Sequence, residues 1–177
     1  MVEKILTIGI LTYRRPKSLA NLITQIESES IFYKNVEILI VNDSGSDDLE
    51  SEYVKCIKSR KNIHIQYIRN ILNQAFPKSF LILLKNVKTK YLLVMADDDI
   101  LIKEYFVEII NFLKRNNPYL LSPQWIYKDG RLGRGIKRTR KIELEEFRLC
   151  CGHAPGVILD VAKAKEFIPL VENRINL

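Results

Sequence analysis

The sequence predicts an α/β protein built on a mainly parallel, doubly wound sheet in a single domain. Three observations carry that expectation. Short apolar runs alternate with stretches whose apolar residues recur at helical spacing, from the amino terminus onward. Neither an internal repeat nor a linker-like segment divides the 177 residues. Three consecutive aspartates, Asp97, Asp98 and Asp99, close an apolar run, which puts negative charge at the strand edge where open α/β sheets hold ligands.

Lys4 to Leu11 reads as the first strand, and Pro16 suits the first turn of a helix carrying Leu19, Leu22, Ile23 and Ile26. Val36 to Val41 is a second buried strand. It is followed by the turn-rich residues Asn42 to Asp48 and a polar helix from about Leu49. Ile63 to Ile68 alternates as a shorter strand, and Phe76, Phe80, Leu83, Leu84 and Val87 form a helical stripe. Tyr91 to Ala96 is short, apolar and free of Gly and Pro, as a buried strand requires. Tyr105, Phe106, Ile109, Ile110 and Leu113 mark a helix that Asn116-Asn117-Pro118 ends. Tyr119 to Tyr127 is expected as a strand with Asp129-Gly130 as its turn, and Gly156 to Val161 as a last strand feeding a short helix.

Composition narrows the function classes. No run approaches the roughly 18 to 20 apolar residues of a membrane span, and the amino terminus lacks a signal-peptide pattern, so a cytoplasmic protein is expected. Cys56, Cys150 and Cys151 lack a paired ligand spacing; reduced thiols are the expectation, and no structural zinc is assigned to Cys150, Cys151 and His153. The formal charge of +7 points to an anionic partner. Arg131, Arg134, Lys137, Arg138, Arg140 and Lys141 share one segment with Gly130, Gly133 and Gly135. Aromatics are not interleaved with these cations, so nucleic acid is not expected; phosphate clamping or contact with an anionic membrane fits, beside the plain reading of a solvated loop.

The aspartates admit two readings. They could cap the next helix as a solvated acidic turn. Alternatively, three adjacent carboxylates are relieved of mutual repulsion by a hard divalent cation, Mn²⁺ or Mg²⁺, bound jointly with substrate phosphates. Two further strand-end loops are expected on the same rim. In them Asp43 could accept a hydrogen bond from a base, Tyr13 could pack on base or ribose, and Arg14 or Arg15 could meet a phosphate.

Taken in order, Thr7 to Arg15, Glu37 to Asp48 and Tyr91 to Ile100 resemble the nucleotide-sugar-dependent glycosyltransferases of family 2, with their GT-A fold. The resemblance runs from the first strand to about Phe167. It implies an inverting, metal-dependent transferase that moves a sugar from a nucleoside diphosphate donor, UDP-sugar favoured, to a glycan or lipid-linked acceptor. It places Thr12, Tyr13 and Arg15 at the nucleotide, Asp43 at the base, Asp97 toward ribose, and Asp98 at the metal with Asp99 as second ligand or support. Ala96 stands where the common pattern has its first acid, and Phe80-Leu81 where many members carry Arg-Asn, with Lys78 as a nearby cation.

Inverting transfer also needs a general base. The family places it beyond a strand resembling His153 to Asp160, so the chain is expected to stop before the acceptor and catalytic-base region. His153 and Asp160 are the nearest substitutes, each with an ordinary structural reading beside it. A nucleotide-sugar-binding module without catalysis is one alternative. A metal-dependent nucleotidyltransferase is another, although Thr12-Tyr13-Arg14-Arg15-Pro16 is not the glycine-rich phosphate loop it would need. An aspartate-nucleophile phosphatase would carry its acids after the first strand.

Overall fold

The computed structural model describes residues 4–45, 49–123, 126, 130–131 and 156–175. Six strands form one sheet: β1 (Leu6–Thr12), β2 (Val36–Asn42), β3 (Ile65–Arg69), β4 (Tyr91–Ala96), β5 (Leu120–Leu121) and β6 (Ile158–Asp160). Their order is β3-β2-β1-β4-β6-β5. The first four strands are parallel, while β6 runs antiparallel to both β4 and β5. The expected α/β architecture, mainly parallel, is therefore present.

The central strands are buried on both faces, which explains why they read as continuous apolar runs. Side chains alternate across the sheet. Leu6, Ile8, Ile10, Ile38, Ile40, Tyr91, Leu93 and Met95 enter one core, against α1 (Pro16–Ser28), α2 (Ser30–Asn35), α3 (Glu50–Lys58) and α5 (Lys103–Asn116). Leu39, Val41, Leu92 and Val94 enter the other, against α4 (Ala75–Asn86), α6 (Val161–Lys165) and α7 (Ile168–Ile175). Gly9 lies on this second face. A Cβ there would stand 2.6 Å from Leu92 Cδ1 and 2.7 Å from Leu83 Cδ2, so glycine lets α4 approach β1 closely.

Three expectations are corrected. Of the strand expected over Tyr119 to Tyr127, the described residues form β5 at Leu120–Leu121 and a bridge at Ile126. Pro123, which has no N–H to give to a ladder, follows almost at once. The stripe on α4 is displaced: Ser79, Leu81, Leu83 and Leu84 are buried, whereas Phe76 is 53% exposed and stacks on Phe80 with centroids 6.1 Å apart. The run Phe80 to Leu84 is apolar all round, so periodicity alone could not choose its inward face. On α5, Phe106, Ile110 and Leu113 are buried while Tyr105 is half exposed.

Register sets the functional rim. Thr12 pairs with Asn42, Asn42 with Arg69, and Leu11 with Ala96, so the loops after β1, β2, β3 and β4 leave the sheet at the same edge.

Candidate functional site

Asp97 is the pivot of that rim. It is 3% exposed, and Thr12 Oγ1 donates to its Oδ2 at 2.6 Å. Burial pushes its carboxyl above the ordinary carboxylate value, against the opposing effects of the Thr12 hydrogen bond and the Arg15 charge. Asp98 follows with its side chain about half exposed. One guanidinium nitrogen, Arg15 Nη1, lies 3.4 Å from Asp97 Oδ1 and 3.1 Å from Asp98 Oδ2. Asp99 turns back: Ala96 N donates to its Oδ2 at 2.9 Å, and its own N–H reaches Ala96 O at 3.3 Å.

Arg15 is held from behind by a residue that the sequence places only in a polar helix. Tyr53 on α3 is fully buried, and its Oη accepts from Arg15 N at 2.7 Å while standing 3.3 Å from Thr12 Oγ1. Because Oη already accepts from a backbone N–H and the Thr12 proton goes to Asp97, the tyrosine proton points to Thr12. Tyr53→Phe is expected to leave Arg15 N–H without its partner and to cost about 1–3 kcal/mol, measured by denaturant unfolding. An unchanged midpoint would show that water replaces the hydroxyl there.

Asp43 is built more deeply than a turn residue. It is 8% exposed, its N–H donates to Thr12 O at 2.9 Å, and its Oδ1 accepts from both Asn70 Nδ2 and Gln74 N at 2.7 Å. Asn70 Nδ2 also reaches Ser79 Oγ at 3.0 Å. A parallel chain runs from Asn42 Nδ2 to Tyr67 Oη at 2.8 Å and on to Glu50 Oε2 at 2.9 Å. Burial pushes the Tyr67 phenol well above its usual range, which keeps it a neutral donor. Glu50 also pairs with Arg69, whose Nε donates to Gly45 O. Arg14 N donates to Ser44 Oγ at 2.8 Å with Arg14 at φ +54, a left-handed conformation unusual for a long side chain. Tyr13 is 50% exposed on the same loop.

The rim thus brings together Thr12, Arg15, Asp43, Asp97 and Asp98, with Tyr13 beside them. Asp160 is not among them. It pairs with Tyr91 at the amino end of β4, about 20 Å from Asp97 by strand rise, and its side chain caps α6 through Lys163 N. His153 lies outside the described residues, as do Cys150, Cys151 and the basic residues from Arg134 to Lys141. Lys78 is solvent-exposed on the first turns of α4. A groove of about 560 Å³ runs between α5 and Leu121, Pro123 and Ile126, and none of the rim residues lines it.

Among the described residues no three His, Cys, Asp or Glu side chains converge on one point. The Asp97 and Asp98 pair nonetheless suits a hard cation. Two carboxylate oxygens already face one positive group, and Mg²⁺-type sites are commonly completed by substrate phosphates rather than by an all-protein cage.

Strand order, burial on both faces and the acidic edge after β4 define a GT-A type of sheet. The chain belongs to glycosyl transferase family 2, whose family model matches residues 7–160. Among solved structures, S. aureus TarS 1-349 superposes with a TM-score of 0.69 at 18% identity, over 92% of this chain and 48% of TarS. Its complex with UDP-GlcNAc gives 0.66 at 18% identity, over 92% and 47%. The mannosyltransferase PcManGT from Pyrobaculum calidifontis, in complex with GDP-Man and Mn²⁺, gives 0.59 at 10% identity, over 69% and 36%. The chain spans about half the length of the TarS structure. No curated protein matches it in sequence. Among the described residues no helix is long and apolar enough to cross a membrane.

Proposed function

We propose that this chain is the donor-binding portion of a glycosyltransferase that takes a sugar from a nucleoside diphosphate, a uridine donor favoured, and transfers it with inversion to a glycan or lipid-linked acceptor. The observation that carries this reading is the convergence of Thr12, Arg15, Asp43, Asp97 and Asp98 on one rim of a family 2 sheet. Asp43 receives the base, Tyr13 packs on base or ribose, and Asp97 faces ribose. Asp98, with Asp97 behind it and Asp99 supporting the turn, holds Mn²⁺ or Mg²⁺. The metal, when bound, neutralises charge on the departing diphosphate. Arg15 adds a second positive group on the diphosphate side.

A second reading is supported by Asp160, which lies too far from the rim to deprotonate an acceptor. In that reading the chain by itself binds donor and metal without transferring sugar. In either case the protein is placed in the cytoplasm, where the basic residues from Arg131 to Lys141 meet an anionic membrane face.

The test is thermal unfolding with UDP, GDP, dTDP and CDP, each with and without Mn²⁺. A ligand at about 100 times its dissociation constant adds roughly 2.7 kcal/mol. Stabilisation by one nucleotide, dependent on Mn²⁺, is the expected result. No shift with any nucleotide, in folded protein, would overturn the donor site.

A further inference from the structure

We infer that Arg15 and the divalent cation are alternative occupants of one position, so that metal entry expels the Arg15 guanidinium from the aspartates and delivers it to the diphosphate. This rests on the donor site proposed above. The guanidinium now acts as the counter-cation: a single nitrogen, Nη1, serves both Asp97 Oδ1 and Asp98 Oδ2, at 3.4 and 3.1 Å. A divalent ion held by the same two carboxylates would stand against that nitrogen, and two cations cannot share the place without strong repulsion.

The arrangement decides which partner yields. Asp97 cannot, because it is buried and Thr12 fixes its Oδ2. The backbone of Arg15 cannot either, because Tyr53 accepts its N–H and Pro16 starts α1 directly after it. The guanidinium can. Its side chain is 57% exposed, and it contacts each carboxylate through one nitrogen rather than as a two-nitrogen fork. The contact with Asp98 is exposed on both sides and so is weak, and the contact with buried Asp97 is the longer of the two. A diphosphate offers that planar fork the two-oxygen acceptor it lacks at the aspartates. Arg15 therefore changes sides: it opposes the metal when no nucleotide is bound and supports the diphosphate once the metal is in.

Arg15→Gln separates the two roles, because it should move two affinities in opposite directions. Mn²⁺ alone, titrated by the paramagnetic resonance of the free ion, is expected to bind the variant about tenfold tighter than the wild type. UDP, titrated calorimetrically at saturating Mn²⁺, is expected to bind the variant about tenfold more weakly. Arg15→Lys retains the charge and should follow the wild type in the Mn²⁺ titration. Mn²⁺ affinity that is equal or lower in Arg15→Gln, or absent from both proteins, would overturn the exchange. The two readings fail separately. If Mn²⁺ tightens as expected but no nucleotide binds either protein, the shared position of Arg15 and metal stands, while the donor site and the delivery to a diphosphate fall. If UDP binds the wild type while the Mn²⁺ affinities are equal, the donor site stands and the exchange falls.

Discussion

Asp43→Ala is expected to lower stability by about 3 kcal/mol, which for a chain of this length moves the melting midpoint down by roughly 6–12 °C. The carboxylate is the shared acceptor of two donors from the loop after β3, Asn70 Nδ2 and Gln74 N, and both Asp43 and Asn70 are buried. Removing the acceptor leaves the part-buried Gln74 N–H without it and the buried Asn70 amide with Ser79 Oγ alone, and opens a gap in the buried loop. Asp43→Asn should behave differently. Its amide oxygen can keep the two donors, so stability should stay within about 1 kcal/mol of the wild type. Its amide nitrogen, however, replaces an oxygen that could accept from a base. Uridine nucleotides should then bind about tenfold more weakly while pyrophosphate binds as before. A wild-type midpoint in Asp43→Ala would mean that the loop stands on other contacts. Equal losses for uridine nucleotide and pyrophosphate in Asp43→Asn would remove the base from Asp43.

This double duty marks the boundary of what the chain discloses before folding. β1, β2 and β4 are legible because burial on both faces leaves their interiors almost wholly apolar, with Thr7 and Glu37 as the interruptions, and the rim follows from their order. Asp43 and Asp97 are legible for the same reason, as polar residues placed directly after such runs. Their partners are not. Tyr53 carries no local sign of its role. On α3 it reads as one aromatic in a polar helix, and only the packing of α3 against α1 and the sheet aims its hydroxyl at Thr12 and Arg15. Asn70 and Gln74 belong to a loop whose course depends on where α4 sits, and Gly9 sets that position. Nor could the three aspartates be told apart in the sequence. Their different surroundings come from the turn after β4, which buries Asp97, leaves Asp98 in solvent and folds Asp99 back onto Ala96.

Asp97→Asn is expected to stabilise the fold while disabling the site. In the folded chain burial raises the Asp97 carboxyl above its ordinary value, so the native state holds that proton more tightly than the unfolded chain does. The sign follows from linkage. Stability from this group is full below about pH 4 and declines as pH rises through the interval up to the raised value, so at pH 7 the ionised Asp97 is a net liability to the fold. An asparagine removes the buried charge and can still accept from Thr12 through its amide oxygen. The variant should therefore melt higher than the wild type at pH 7, and the difference should shrink as the pH is lowered toward 4. Its affinity for nucleotide with Mn²⁺ should fall by about 100-fold, because a neutral amide is a poor partner for a hard cation. A protein does well to keep a charge its core disfavours only where the charge has work to do, and the opposite movement of melting point and affinity would be that work made visible. A lower melting point at pH 7 would mean that the Arg15 and Thr12 contacts outweigh burial; undiminished nucleotide affinity would take Asp97 out of the site.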